Sequence, residues 1–342
     1  MTFIHKTQNA LISVLLPVKN GMPHLAEAVD SIFRQTYHNF EIIAIDHSSR
    51  DGSSAILNQY AKSDPRMKVH RFDGDNFVDC LNFGLSLCGG GYIARMDADD
   101  ISRPDRFIRQ LSFLRDNPDV GIVGSAVRLF GGGGIKEGYR RYEKWINSIM
   151  TPEDFIREMF VESPMPHPSV MMRREILDID VLGGYRDSGW PEDYDLWMRA
   201  FFAGIRMAKV PETLLQWRDR PDRFSRTSKR YSRKNFHKLR AFYLAKLLKD
   251  KKIVIQGAGT TGRIIGRLLK GFGANLIAYI DINPRRIGGT KLGLPVYPAE
   301  RMAAFAGSFL IAAVSSWGAR ELIRQEAKNA GFTEGVDFLC AS

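Results

Sequence analysis

The chain of 342 residues is poor in cysteine: Cys80, Cys88 and Cys340 are the three it has. They form no CxxC pair and no metal-ligand spacing, and an odd count gives no disulfide framework. Reduced, packed thiols are expected. Long apolar runs are missing as well, FLIAAV at 309–314 being typical of the longest. A membrane-spanning helix needs roughly 18 such residues, and the N-terminus lacks the apolar core of a signal peptide. The expectation is a cytoplasmic protein whose membrane contact is at most peripheral, at the inner face. Net charge is also absent from most of the sequence. Of the formal +11, all is carried between Trp217 and Lys252, where 14 Lys/Arg stand against 3 Asp. The rest is balanced, which argues against nucleic acid as a partner and for a local patch facing something anionic. No nucleic-acid fold signature accompanies the patch.

What the sequence does have is an ordinary globular composition, 44% hydrophobic and 25% charged, and a length more than twice the roughly 150 residues of a typical domain. Two domains, or one large domain with a satellite, are expected. ISVLLPV (12–18), a continuous apolar run, reads as a buried parallel strand. HLAEAVDSIFRQ (24–35) has helical spacing, EIIAID (41–46) is a second strand, and DGSSAILNQYAKS (51–63) reads as a helix with Asp51 suited to cap it. Strand 68–72, helix 76–88 and strand YIARMD (92–97) continue a βαβ series, whose ligands sit at the carboxyl ends of the strands. Asp46 and Asp97 fall at such ends. After strand 120–130 the GGGG run and several prolines blur the periodicity, and an α+β lobe of about 90 residues is expected. Helical pattern returns at 232–252, with aromatic and aliphatic residues on one side and Lys/Arg opposite. A second βαβ unit follows: strand 252–259, helix 260–271, strand 275–281, strand 309–314 and helix 317–329.

MDADD (96–100) crowds Asp97, Asp99 and Asp100 into four residues. Such carboxylates repel unless a cation relieves them, and hard oxygen ligands suit Mg²⁺ or Mn²⁺ with substrate phosphates in the remaining positions. An Asp-rich turn is also compatible with a solvated loop or a helix cap. Context decides between them. SVLLPVKNG (13–21), EIIAIDHSS (41–49), NFGLSLCGGGYIARMDADDISRPDR (82–106) and PEDYDLWMR (191–199) occur in an order and spacing that resemble family 2 glycosyltransferases with the GT-A fold.

The resemblance covers residues 10–228 and implies an α/β fold with a mixed, mostly parallel sheet: a nucleotide-binding half at 10–130 and an acceptor half at 131–228. It implies a metal-dependent, inverting transfer of a single sugar from a nucleotide-diphosphate donor to a glycan or lipid-linked acceptor, as in bacterial-type surface polysaccharide synthesis. Pro17 would start the loop around the nucleotide. Asp46 would accept a hydrogen bond from the base, in a UDP or dTDP type donor, although the common DDGS reads Asp46-His47-Ser48-Ser49 here. Asp97 would touch ribose or metal, and Asp99 would be the principal metal ligand. Arg95 would contact phosphate or pair with these acids. Asp193 matches the family's catalytic base, with neighbouring Glu192 orienting the acceptor; both also fit an acidic first helical turn. His167 and Trp190 would line the acceptor site or simply pack. Arg218 and Arg220 would close over the diphosphate. The QxxRW motif of processive synthases is missing, in keeping with single addition.

GAGTTG (257–262) between a strand and a helix, with Asp281 closing the next strand, has the context of a dinucleotide-binding fingerprint. Gly257, Gly259, Gly262 and Asp281 are thus candidates for a second nucleotide site, for NAD or another nucleotide. The small Rossmann-like domain at 252–342 lacks a Tyr-x-x-x-Lys or other hydride-transfer partner, so a structural or oligomerising role is equally open. The basic amphipathic linker helix at 229–251 would lie on anionic lipid, or pack its aromatic face between the two domains and leave a solvated basic side. Two other functions compete: an NAD-dependent nucleotide-sugar oxidoreductase centred on the C-terminal domain, and a non-catalytic nucleotide-sugar sensor.

Overall fold

A computed structural model describes residues 10–316 and 318–342. The first nine residues, where a signal peptide would begin, and Trp317, at the start of the last predicted helix, lie outside the described residues. The chain forms two compact units. The first comprises the chain through Phe155, Met165–Ser188 and Glu192–Phe224; the second comprises Ile156–Pro164, Gly189–Pro191 and Ser225–Ser342.

In the first unit, β1 (Ile12–Val18), β2 (Phe40–Asp46), β3 (Met67–Arg71) and β4 (Tyr92–Arg95) alternate with α1 (Leu25–Phe33), α2 (Ser53–Ser63) and α3 (Phe77–Leu87). Then come β5 (Ile101–Ser102), α4 (Arg106–Asp116), β6 (Val120–Phe130), α5 (Glu137–Ile146), α6 (Pro152–Glu158), β7 (Met171–Arg173), α7 (Glu192–Phe202) and β8 (Arg206–Arg218). The sheet order is β3-β2-β1-β4-β7-β6-β8-β5. Pairs among β1 to β4, and β6 with β8, are parallel; β7 and β5 pair antiparallel with their neighbours. Every residue of β1, β2 and β4 is buried, because helices cover both faces. This is a mixed, mostly parallel α/β sheet. Register aligns Val18, Asp46 and Arg71 across β1, β2 and β3, so Asp46 stands at the carboxyl edge.

Two local expectations change. Gly52, not Asp51, precedes α2, in the left-handed conformation (φ +93°) that glycine adopts without strain. Asp51 is used elsewhere: its carboxylate accepts from the N–H of Met22 and from the N–H and hydroxyl of Ser53, tying the β1–α1 and β2–α2 loops together. The strand expected to reach residue 97 ends at Arg95, so residues 97–100 form a turn beyond it.

From Ser225 on, the second unit holds most of α8 (Phe224–Thr227) and then α9 (Arg233–Leu247). It continues with β9 (Lys252–Gln256), α10 (Thr260–Gly271), β10 (Asn275–Asp281), β11 (Thr290–Lys291), β12 (Leu294–Pro298), β13 (Phe309–Ala312), α11 (Ala319–Asn329) and β14 (Phe338–Cys340). The order β11-β12-β10-β9-β13-β14 is parallel except for β11. The helical pattern expected at 232–252 ends at Leu247, where Leu248 and Lys251 close a turn before β9. On α9, Leu239, Ala241, Tyr243 and Leu244 are buried, while Phe242 is 37% exposed. All three cysteines are free and buried, and burial pushes the Cys80 thiol up to about 11 and those of Cys88 and Cys340 to about 12.

Candidate active site

The carboxyl edge of the first sheet gathers most of the residues expected to act. Pro17 sits within β1 opposite Ile45, one residue before the strand ends. Asp46 is buried, and its two oxygens accept from the Ser49 N–H (3.0 Å) and the Ser54 hydroxyl. His47 occupies the place of a second acid. Its Nε2 lies 2.7 Å from the Gly74 carbonyl, its backbone N–H donates to Val18, and its ring meets Phe72 edge-on. Burial and then Lys19 lower its pKa, which keeps the ring neutral and makes Nε2–H the donor to Gly74.

Past β4, the ligand oxygens of Asp97, Asp99 and Asp100 all lie within 4.8 Å of one another. The turn is held there by the pairing of β5 with the end of β8, Ile101 opposite Gln216. That pairing delivers two arginines. Arg218 donates its backbone N–H to Asp100 Oδ1 and its Nε–H to the Asp99 carbonyl, both at 2.7 Å, stacks on Phe130 and pairs with Glu27. Arg220 Nε is 3.0 Å from Asp99 Oδ2. Arg95, buried, pairs with Asp97 at 2.7 Å and donates to the Met96 carbonyl. Asp100 is 1% exposed, and its Oδ2 has no hydrogen-bond partner among the described residues. Burial and the neighbouring Asp97 charge raise the Asp99 carboxyl, and burial with Asp99 raises Asp100 further. The donor set therefore fits a hard divalent cation: three carboxylates, crowded, desolvated and incompletely neutralised.

Asp193 and Glu192 open α7. Glu192 is fully buried, whereas Asp193 is partly exposed. Asp193 Oδ1 takes the Tyr194 N–H at 2.7 Å, and the carboxyl is pushed up to about 8, chiefly by burial and then by Glu192, with a smaller push from Asp97. Asp97 and Asp193 are thus close enough to sense each other. His167 is buried, its Nε2 2.7 Å from the Tyr185 hydroxyl and its ring edge-on to Trp197; burial and Arg95 lower its pKa well below the usual value. Tyr185 is fixed in turn by two backbone hydrogen bonds with Asn82. No spacing signal marks Tyr185, because a partner 18 residues away on an irregular loop has no period. Trp190 belongs to the second unit, where Phe242 packs on its ring and Lys238 lies over it.

The sequence profile described as glycosyl transferase family 2 matches residues 13–179. EpsE of Bacillus subtilis (strain 168) is 34% identical over 226 residues, which is 65% of this chain and 77% of EpsE. The O-antigen biosynthesis glycosyltransferase WbnJ of Escherichia coli is 31% identical over 216 residues, covering 61% of this chain and 79% of WbnJ. This chain belongs to glycosyl transferase family 2. Among solved structures, S. aureus TarS 1–349 in complex with UDP-GlcNAc has the same fold, with a TM-score of 0.55 at 15% identity over 76% of this chain and 71% of TarS. The fold is therefore that of GT-A glycosyltransferases, and the protein is a glycosyltransferase. Among its described residues no helix is long and apolar enough to cross a membrane.

The glycosyltransferase carries its second fingerprint in the other unit. Gly257, at φ +102°, turns the chain out of β9, and Gly262 lies so close that a Cβ on it would be 1.7 Å from the Gly257 carbonyl oxygen. Asp281 accepts from the Ala258 N–H (2.7 Å), the Asn283 N–H (2.8 Å) and Arg286 (3.0 Å). Against burial, which raises it, these donors hold its carboxyl below the usual range. Gly259 ends the turn, facing the Arg286 guanidinium.

Proposed function

We propose that this glycosyltransferase moves a single sugar from a nucleotide-diphosphate donor of the UDP or dTDP type to a hydroxyl of a glycan or lipid-linked glycan, with inversion at the anomeric carbon. Asp193 carries the reading: it is a carboxylate with a raised proton affinity, at the start of a helix and within electrostatic reach of the acidic turn. Such a group can take the proton of the attacking hydroxyl at near-neutral pH. Glu192, buried beside it, adds to the effect of burial on that affinity and orients the acceptor. His167, held neutral and anchored by Tyr185, supports the acceptor side.

Asp97 and Asp99 would hold Mg²⁺ or Mn²⁺, with Asp100 completing the acidic turn. When bound, the metal would supply Lewis-acid stabilisation of the departing diphosphate. Arg218 and Arg220, now paired with Glu27 and Asp99, would turn to the phosphates as donor fills the turn, since guanidinium suits them bidentately. Arg95 holds Asp97 in place through their ion pair. Pro17 and Asp46 would frame the base, Asp46 being fixed by Ser49 and Ser54 with lone pairs left over. The likeness to WbnJ, an O-antigen biosynthesis glycosyltransferase, supports surface-polysaccharide assembly as the setting. The basic stretch around α9 would favour an anionic membrane surface.

The test is turnover of a panel of nucleotide sugars with Mn²⁺, measured as nucleotide release, beside calorimetric donor binding. Asp193→Asn is expected to bind donor as the wild type does and to lose turnover. Equal turnover in the two proteins would remove Asp193 as the base.

A further inference from the structure

The second unit encloses a cavity of about 650 Å³ that the transfer reaction does not use. It lies at the carboxyl ends of β9, β10 and β13, being lined by Gln256, Asp281 and Ala313 among others. From β9 the chain winds first to β10 on one side and later returns to β13 on the other, and at such a reversal an open α/β sheet has its ligand crevice. We propose that this cavity is a second ligand site that takes a mononucleotide through its phosphate and its base.

The phosphate end is the turn into α10. Gly257, Gly259, Thr260 and Thr261 line the cavity there, and the first N–H groups of a helix have no intrahelical acceptor. Arg286 adds a guanidinium over Gly259. The Thr261 and Ser315 hydroxyls on the cavity wall share a hydrogen bond of 3.0 Å, which leaves one O–H as a further donor.

On the cavity wall an independent observation points to a ligand. Gln256 is 3% exposed, and its Nε2 donates to Glu326 Oε2 at 3.0 Å, which fixes the amide orientation, since the reverse would set oxygen against carboxylate. Its Oε1 then has no hydrogen-bond partner among the described residues. A buried carbonyl oxygen left unpaired costs free energy that an N–H or O–H of a ligand relieves. Ile282 and Leu322, 74% and 68% exposed on the cavity wall, offer apolar cover for a base.

Topology limits the ligand to one nucleotide. A dinucleotide fold joins two three-stranded halves. Here β12, β10 and β9 form one half, and only β13 and β14 stand on the other side. Asp281, the acid that would meet a ribose, already accepts from Ala258, Asn283 and Arg286. It holds the turn instead.

The test is calorimetry on the full-length chain in EDTA with ADP, GDP, CDP, UDP, dTDP and NAD. One diphosphate is expected to bind with one equivalent and a Kd below about 1 mM, and the Asp97→Asn/Asp99→Asn double variant should bind it equally well. Gly259→Val, at a backbone conformation open to any residue, should weaken it by about tenfold or more, and Leu322→Asp, on the exposed rim, should weaken it too. The second variant covers the case in which the first misfolds. No binding by any diphosphate, tighter binding of NAD, or binding lost in the double Asp variant but kept in Gly259→Val would each overturn the proposal. None of these outcomes bears on Asp193.

Discussion

At the end of β4 three carboxylates share one turn, and at the end of β10 a single carboxylate is surrounded by two N–H groups and a guanidinium. Both positions are carboxyl ends of parallel strands, where α/β folds place their chemistry. Yet the electrostatics run in opposite directions: burial and mutual repulsion raise Asp99 and Asp100, while hydrogen bonds hold Asp281 down. An acid at a strand end is therefore not a functional signal by itself. What surrounds it decides whether it waits for a cation and a substrate or is consumed as a brace.

The contrast can be broken most severely at Asp193. Asp193→Asn should lower kcat by about 10²–10⁴-fold with donor affinity kept, read by nucleotide release and calorimetry. Asp99→Asn should weaken Mn²⁺-dependent nucleotide binding by about 10–100-fold, and a chelator should have the same effect on the wild type; binding indifferent to both would place the donor outside the acidic turn.

A pH series sharpens the comparison further. Because the Asp193 carboxyl is raised from 3.8 to about 8, the folded protein favours its protonated form. Its stabilising effect is then full below about pH 4 and lost as pH rises through 8, while its capacity as a base grows over the same window. kcat/KM should climb toward pH 8, and the thermal midpoint of the metal-free wild type should fall relative to that of Asp193→Asn. A flat difference would contradict the raised affinity.

Asp281→Asn should act in the other sense. Turnover should persist while denaturant unfolding reports a loss of about 1–3 kcal/mol, because the Ala258 and Asn283 N–H groups and Arg286 lose a charged acceptor. The smallest change is expected from His47→Asn, which trades one neutral hydrogen bond to Gly74 and should cost about 1 kcal/mol.

Much of this architecture was legible from apolar runs. β1, β2, α10 and β10 fall where their patterns predict, because continuous burial or a 3.6-residue period leaves little choice. The acidic turn could be read because its members are neighbours in sequence. Its arginines were legible only through resemblance, since the β5–β8 pairing that brings Arg218 to Asp99 joins residues 119 positions apart. Tyr185 beside His167 and the unsatisfied amide of Gln256 left no trace in sequence: each arises from packing between segments with no common period. Short elements such as β11 and β14 were missed for a related reason, as two or three residues carry no periodicity. Asp51 misled because the same side chain that suits a helix cap also suits a bridge between loops.

The buried thiols have a practical side. With Cys80, Cys88 and Cys340 all inaccessible and their proton affinities raised, almost none is thiolate at neutral pH, and thiolate is the reactive form. A cysteine introduced at an exposed position can thus receive a maleimide fluorophore or spin label against a silent background, with no need to strip the native sulfurs first.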